Sequence, residues 1–284
     1  RETAAPILNE IHFELVNIHR LINCLPNEEH TEQPTPRRKN SNHYEFDLYE
    51  LSSVIKQFII QAQVNYRKYF AADDLELLPR LLNRISSTNS LPVETTDLLT
   101  RVDNIRAKET IIKRLGLAID SPDLDLLTQW LHDAGHLTIG TPAMAALEAY
   151  LEMLENRNAI RERIATRLLR FEAIMDEFLI GKTVRLDALS GLKIETAHGN
   201  GIKEIQLSSG EYHFLYMMVT ALVSHSTGTI IAIDEPELSL HVSWQRKLIR
   251  ALRDCASGAA PLFLFATHSS AIAAEFQDKW ISLG

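Results

Sequence analysis

Apolar residues recur every three or four positions through most of the first 180 residues, the spacing of helices that each bury one face. Ile7, Leu8, Ile11, Leu15, Ile18, Leu21 and Ile22 predict a helix over residues 1–25. A polar, proline-containing linker follows from Pro26 to His43. The helical pattern resumes over Tyr44–Ala72, with Leu48, Leu51, Ile55, Phe58, Ile59 and Tyr66 on its apolar side. Shorter helices are predicted near Leu75–Ile85 and Pro92–Val102, then over Ile105–Leu117 and Leu124–His132. Thr141 and Pro142 supply a cap and a first-turn proline for the longest helix. That helix runs to about Ile180, on the order of 55–60 Å at ~1.5 Å per residue. Met144, Leu147, Leu151 and Leu154 form one apolar stripe along it, and Ile160, Ile164, Leu168, Phe171, Met175 and Phe178 another. Such spacing suits packing against partner helices in coiled-coil fashion.

After Ile180 the period changes. Leu192–Thr196 and Ile202–Leu207 alternate like strands around a His198–Gly201 turn. Leu207-Ser208-Ser209-Gly210-Glu211 then leads into an apolar helical run, Tyr212–Val223. Thr229–Ile233 is a β-branched run of the kind buried in parallel sheets, and it ends in two carboxylates, Asp234 and Glu235. Pro261–Ala266 predicts a second buried strand tipped by Thr267-His268-Ser269, and Trp280–Leu283 a final one.

The strand tips carry the chemistry, because ligands of open α/β sheets sit at the strand ends. A carboxylate at Asp234 suits Mg²⁺, a hard ion that takes oxygen ligands and keeps several waters. Glu235 is placed to reach past the metal and polarise a water, and His268 to hydrogen-bond a γ-phosphate oxygen or hold that water. Ser208, Ser209 and Gly210 open a helix whose first N–H groups and positive dipole end attract anions, and Gly210 permits close backbone approach. Singly, each has an ordinary reading: a helix cap, a solvated strand end, a loop. In this order they compose one phosphate-handling site.

Residues 184–284 resemble the C-terminal half of an ABC-type ATPase head. The branch is that of SMC-like, RecF-like and OLD-family proteins and the ATPases of bacterial anti-phage defence. By that resemblance Leu207–Glu211 corresponds to the signature motif (Ser208, Ser209, Gly210, Glu211) and Ile230–Asp234 to the Walker B strand. Glu235 matches the catalytic glutamate, Glu237–His241 the D-loop region with His241 near nucleotide, and His268 the switch histidine. The run Asp234-Glu-Pro-Glu-Leu-Ser-Leu-His241 looks more like the DNA-maintenance and defence branch than like membrane transporters.

The resemblance implies an α/β fold, the C-terminal half of an ABC head over residues 181–284, preceded by a helical or coiled-coil insertion over residues 1–180. It also implies ATP and Mg²⁺ as cofactors. Two heads would sandwich ATP as a homodimer or higher homo-oligomer, each offering its signature in trans, with Asp234 binding Mg²⁺, Glu235 activating water and His268 sensing the γ-phosphate. Hydrolysis would then release the dimer. The partner it implies is an effector such as a nuclease or toxin, with DNA a further candidate through the helical region. The alternative is a non-hydrolysing scaffold that assembles and holds an effector, which would have no need of Glu235 and His268.

The ABC fold also needs a phosphate loop, G-x-x-x-x-G-K-[ST]. The first 115 residues hold no glycine. The one Gly-Lys-Thr, Gly181-Lys182-Thr183, has Asp176 where the motif's first glycine belongs and follows a helix rather than a strand, so Gly181 reads as a helix C-terminal glycine. With Arg1 rather than Met at the start, the chain reads as a piece of a longer protein whose phosphate loop lies elsewhere.

Composition changes this picture little. At 45% hydrophobic and 23% charged the chain is ordinary globular material, with no apolar run long enough to span a bilayer and no secretory leader, so a cytoplasmic location is expected. Cys24 and Cys255 read as reduced thiols. A net charge of −8 argues against non-specific coating of nucleic acid. Arg37-Arg38-Lys39 and the arginines of the long helix (Arg157, Arg161, Arg163, Arg167, Arg170) read first as solvated, acid-paired surface, and second as DNA contacts. His132 and His136 lack a third ligand for a metal, and Asp123 and Asp125 alone make no nuclease site.

Overall fold

The structure is a computed structural model, and it describes residues 12–17, 51–86, 95–118, 123–134, 141–224, 229–274, 279 and 281. The 26–43 linker with Arg37–Lys39, Cys24, His136 and the expected terminal strand, apart from Ile281, lie outside the described residues. The chain divides into two compact units.

One unit comprises Lys56–Leu168 with Leu186–Ser190. It is built from α1 (Leu51–Ser86), α2 (Thr95–Arg114), α3 (Leu124–Ala134) and α4 (Thr141–Phe178), of which the first and last also enter the other unit. The sequence divides the first two of these more finely. Pro79 lies inside α1 without ending it, and α2 runs through the break expected after Val102. Leu98, Val102 and Ile105 of α2, Leu124 and Leu131 of α3, and Leu147, Leu151, Met153 and Leu154 of α4 form one apolar core. The expected stripe on α4 is therefore the buried one.

Arg161 and Arg167 of α4 differ from the solvated reading, while Arg163 and Arg170 are exposed as that reading expects. Arg161 and Arg167 are each only 8% exposed. The Arg161 guanidinium lies 4.8 Å from the centroid of the Phe70 ring and Arg167 5.6 Å from that of Phe58. Arg161 Nη1 also donates to Glu109 Oε1 of α2 at 3.2 Å. A planar, weakly hydrated guanidinium stacks on rings and bridges helices where a lysine would not. Lys108 and Glu162, at 2.8 Å, are the exposed pair that the solvated reading expects.

The other unit holds both sheets. β1 (His12–Asn17), β5 (Thr229–Asp234) and β6 (Leu262–Ala266) form a parallel sheet with β5 in the middle. β1 corrects the helix expected over residues 1–25. Short apolar runs read equally as helix or strand, and here pairing with β5, His12 opposite Thr229 through Asn17 opposite Asp234, decides.

β6 pairs in register from Ile230–Leu262 to Asp234–Ala266. It is not buried on both faces as its composition suggests: Leu262 and Leu264 are 64% and 55% exposed, while Phe263 and Phe265 stack on the other face. The second sheet has the order β2 (Lys182–Asp187), β3 (Gly191–Thr196), β4 (Gly201–Ile202). The strand expected over Ile202–Leu207 stops after Ile202, and Glu204–Gln206 form a 3-10 turn instead.

α5 (Ser209–Val223) is apolar all round, as helices buried on every side are. Every residue from Tyr212 to Leu222 is buried. Phe214 stacks on Phe178 at 4.2 Å, and both meet Trp244 of α6 (Val242–Cys255) at 5.4 and 5.5 Å. The C-terminal end of α4, α5 and α6 thus share one aromatic cluster. Cys255 is a buried free thiol donating to the Met218 carbonyl.

Candidate functional site

Asp234 is the last residue of β5 and is exposed. The parallel pairing continues one residue further, since Glu235 N–H donates to the Ala266 carbonyl at 2.7 Å. This bond brings Glu235 to the tip of β6, where Thr267 and the exposed His268 follow. Asp234, Glu235 and His268 therefore meet on the C-terminal edge of one sheet, where α/β folds bind ligands. Glu235 (φ 48°) and Ser239 (φ 63°) both hold left-handed backbone, which costs a non-glycine residue of order 1–3 kcal/mol. Left-handed backbone thus stands on both flanks of Glu237.

The Leu207–Glu211 segment builds a capping box. Ser208 Oγ accepts from Glu211 N–H at 3.4 Å, and Glu211 Oε2 accepts from Ser208 N–H at 2.9 Å. Sequence reasoning missed a third member. Lys182, the lysine of the failed Gly-Lys-Thr, pairs with Glu211 Oε1 at 2.5 Å. Burial alone would raise the Glu211 carboxyl pKa, but the Lys182 ammonium and the Ser208 donors outweigh it and hold the pKa below the ordinary value. Gly181, at φ 78°, ends α4 as expected and turns the chain so that Lys182 begins β2. Glu211 is engaged in its own chain, which leaves exposed Ser209 as the outward group of the segment.

Gly210 allows a close backbone approach, and the backbone it admits is the protein's own. A Cβ at Gly210 would lie 2.3 Å from the Ser239 carbonyl oxygen. The start of α5 is thus wedged against the loop that follows β5. His213, one helical turn on, holds the same loop through a 2.8 Å bond from Nδ1 to the Leu238 carbonyl. A carbonyl only accepts, so Nδ1 carries the proton.

Nε2 of His213 is buried with no hydrogen-bond partner, and burial pushes the imidazole pKa below its ordinary value despite the Leu238 bond and nearby Glu237. A depressed histidine pKa means that the unfolded chain takes up a proton which the folded chain refuses. Stability is then complete above about pH 6.5 and falls as the pH drops below it, by up to about 1.4 kcal/mol per pH unit. Urea unfolding between pH 7 and 5 should show that slope, and His213→Gln should reduce it. An unchanged slope in the variant would contradict the assignment.

His241, expected beside nucleotide, caps α6: its Nδ1 accepts from Ser243 N–H at 3.3 Å and lies 2.7 Å from Ser243 Oγ. Gln245 of α6 donates to the Leu240 carbonyl at 2.9 Å and accepts from Ser269 Oγ at 2.7 Å. Glu237 accepts from Thr267 Oγ1 at 2.6 Å and from His268 N–H at 2.8 Å. No spacing in the sequence points to Gln245 or Thr267 as partners of this loop.

The family described as "AAA domain, putative AbiEii toxin, Type IV TA system" matches residues 67–274. The chain belongs to this family. By its printed description the family is one of AAA domains. This AAA-family chain matches no curated protein. Among solved structures it is similar to the Smc head domain with an extended coiled coil bound to the C-terminal domain of ScpA, from Pyrococcus furiosus. The identity is 13%, over 92% of this chain and 56% of that one, with a TM-score of 0.37. It is also similar to the Smc head domain with a coiled coil and joint from Pyrococcus yayanosii, at 13% identity over 80% and 62% of the two chains, with a TM-score of 0.30. The AAA-family chain thus spans little more than half the length of these heads, and overlaps at such scores fix nothing about its activity.

Among the described residues no helix is long and apolar enough to cross a membrane, and no group of three or more His, Cys, Asp or Glu side chains is arranged to hold a metal by itself. The donor set at the sheet edge fits Mg²⁺ in the other way that ion binds, through one or two carboxylates with the remaining positions left to water and phosphate oxygens.

Proposed function

We propose that this AAA-family chain carries the hydrolytic half of an ATPase site of the ABC type. In this reading, residues 181–284 form the C-terminal half of the head, joined in its sheet by β1, and the helices of Lys56–Leu168 form the insertion. The observation that carries it is the convergence of Asp234, Glu235 and His268 at adjacent strand tips, with a capped helix start presenting Ser209 in the same unit. Asp234 would hold Mg²⁺, which when bound neutralises charge on the phosphates. Glu235 takes a proton from the attacking water, and His268 donates to the γ-phosphate or fixes that water. Ser209 and the first N–H groups of α5 meet the γ-phosphate held by a second copy, since helix starts bind anions.

ATP then joins two copies, and hydrolysis removes the charge that joins them. The family description names a putative toxin of a type IV toxin–antitoxin system, which supports a defence setting with an effector released or restrained by the nucleotide state.

Association is the direct test. The full-length protein carrying Glu235→Gln should double in mass by light scattering when ATP and Mg²⁺ are added. Ser209→Arg in the same background should keep it monomeric, because the arginine fills the space meant for the partner's phosphate. Doubling that is indifferent to ATP, or that survives Ser209→Arg, would overturn the sandwich.

A further inference from the structure

We infer that Glu237 is a positioning residue for His268, a role that rests on the ATPase reading above. Both oxygens of its carboxylate are used on the segment that carries the histidine. Oε1 accepts from the His268 backbone N–H at 2.8 Å and Oε2 from Thr267 Oγ1 at 2.6 Å. Thr267 Oγ1 in turn accepts from Ser269 N–H at 3.0 Å, which commits its own proton to Glu237. A second tie runs parallel: Ser269 Oγ donates to Gln245 Oε1, and Gln245 Nε2 donates to the carbonyls of Leu240 at 2.9 Å and Glu237 at 3.4 Å. The loop that begins with Glu235 is thereby fastened to the tip of β6 from both ends. Upstream the fastening is the Glu235 N–H to Ala266 carbonyl bond, and downstream it is Glu237 and Gln245.

The chemistry favours a carboxylate. Both groups facing Glu237 are donors, so an acceptor-only side chain satisfies both, and ionised acceptors make the stronger bonds. A glutamine has one acceptor oxygen for the His268 N–H and can meet the Thr267 hydroxyl only by donating to it, so Glu237→Gln replaces two charge-assisted ties with weaker neutral ones. Alanine loses both. The histidine touches the reacting phosphate and Glu237 does not; its effect passes through the placement of His268 relative to Glu235. Misplacement of a catalytic group by about 1 Å is enough to cost about 10²-fold in rate.

The test is a double-variant cycle on the full-length protein: phosphate release from ATP by the wild type, Glu237→Ala, Glu237→Gln, His268→Ala and Glu237→Ala/His268→Ala. Tm and the amide exchange rate at residue 268 are measured beside it. Glu237→Ala should lower kcat by roughly 10- to 100-fold with little change in KM, Glu237→Gln by less, and adding Glu237→Ala to His268→Ala should change nothing further. The residue 268 amide should exchange faster in Glu237→Ala while Tm holds. Thr267→Val, which removes one tie and leaves Glu237 in place, should fall with Glu237→Gln. Equal losses in both backgrounds, an unchanged amide, or a rate that follows Tm would overturn the positioning role while the ATPase reading stood. A wild type that releases no phosphate would overturn the ATPase reading, and the positioning role with it.

Discussion

Arg161→Ala should destabilise the helical unit more than any surface substitution in the chain, by about 3–5 kcal/mol at neutral pH. Arg161 and Glu109 are a buried pair, with side chains 10% and 8% exposed. Removing the cation strands the Glu109 carboxylate among α2 and α4 and also strips a guanidinium from the Phe70 ring. Burial already raises the Glu109 pKa, against the lowering effects of Arg161 and of the nearby Asn158 side chain.

The sign of the pH effect follows. Without Arg161 the folded pKa rises further above the unfolded one, so the deficit is largest at high pH. It shrinks as the pH falls through the folded value, where Glu109 binds a proton and needs no partner. Thermal unfolding at pH 7 and pH 5 measures both effects. Arg161→Met/Glu109→Leu should recover most of the loss, because an apolar pair of similar volume often replaces a buried ion pair without cost. A loss that is equal at both pH values, or a double variant worse than Arg161→Ala, would contradict this account.

Glu235→Gln should lower ATP turnover by about 10²–10⁴-fold, the usual share of a general base. The amide is isosteric and keeps the backbone bond from residue 235 to Ala266, so neither the strand tip nor its left-handed backbone is disturbed. What is lost is the carboxylate's capacity to accept a proton. ATP affinity should therefore be unchanged or increased, and KM should not rise. A parallel loss of binding would mean that Glu235 holds the metal or the nucleotide instead of activating water.

The sequence makes some of this legible and hides the rest, for physical reasons. α5 and β5 are readable because burial runs through nearly all of each: a mostly apolar helix and a strand of branched residues leave one environment open to each. The strand tips follow from those two elements. β1 is hidden, because six residues with apolar side chains at Phe13, Leu15 and Val16 acquire their conformation from β5, far along the chain. The half-exposed face of β6 is hidden because composition records apolarity and not what covers it.

Lys182 illustrates a third case. Its motif fails as a phosphate loop, which the sequence reveals, but its service to Glu211 depends on the turn at Gly181 bringing β2 to the start of α5. The arginines of α4 look like solvated surface because charge usually is. For Arg161 and Arg167 only the placement of Phe70 and Phe58 shows otherwise.

Phosphate release from Mg²⁺-ATP by the full-length wild-type protein, with Glu235→Gln as the matched control, tests the central claim most directly. The account predicts steady turnover by the wild type and its near abolition in the variant, with nucleotide binding retained in both. Turnover that is absent from the wild type, or that survives Glu235→Gln at the same rate, would contradict it.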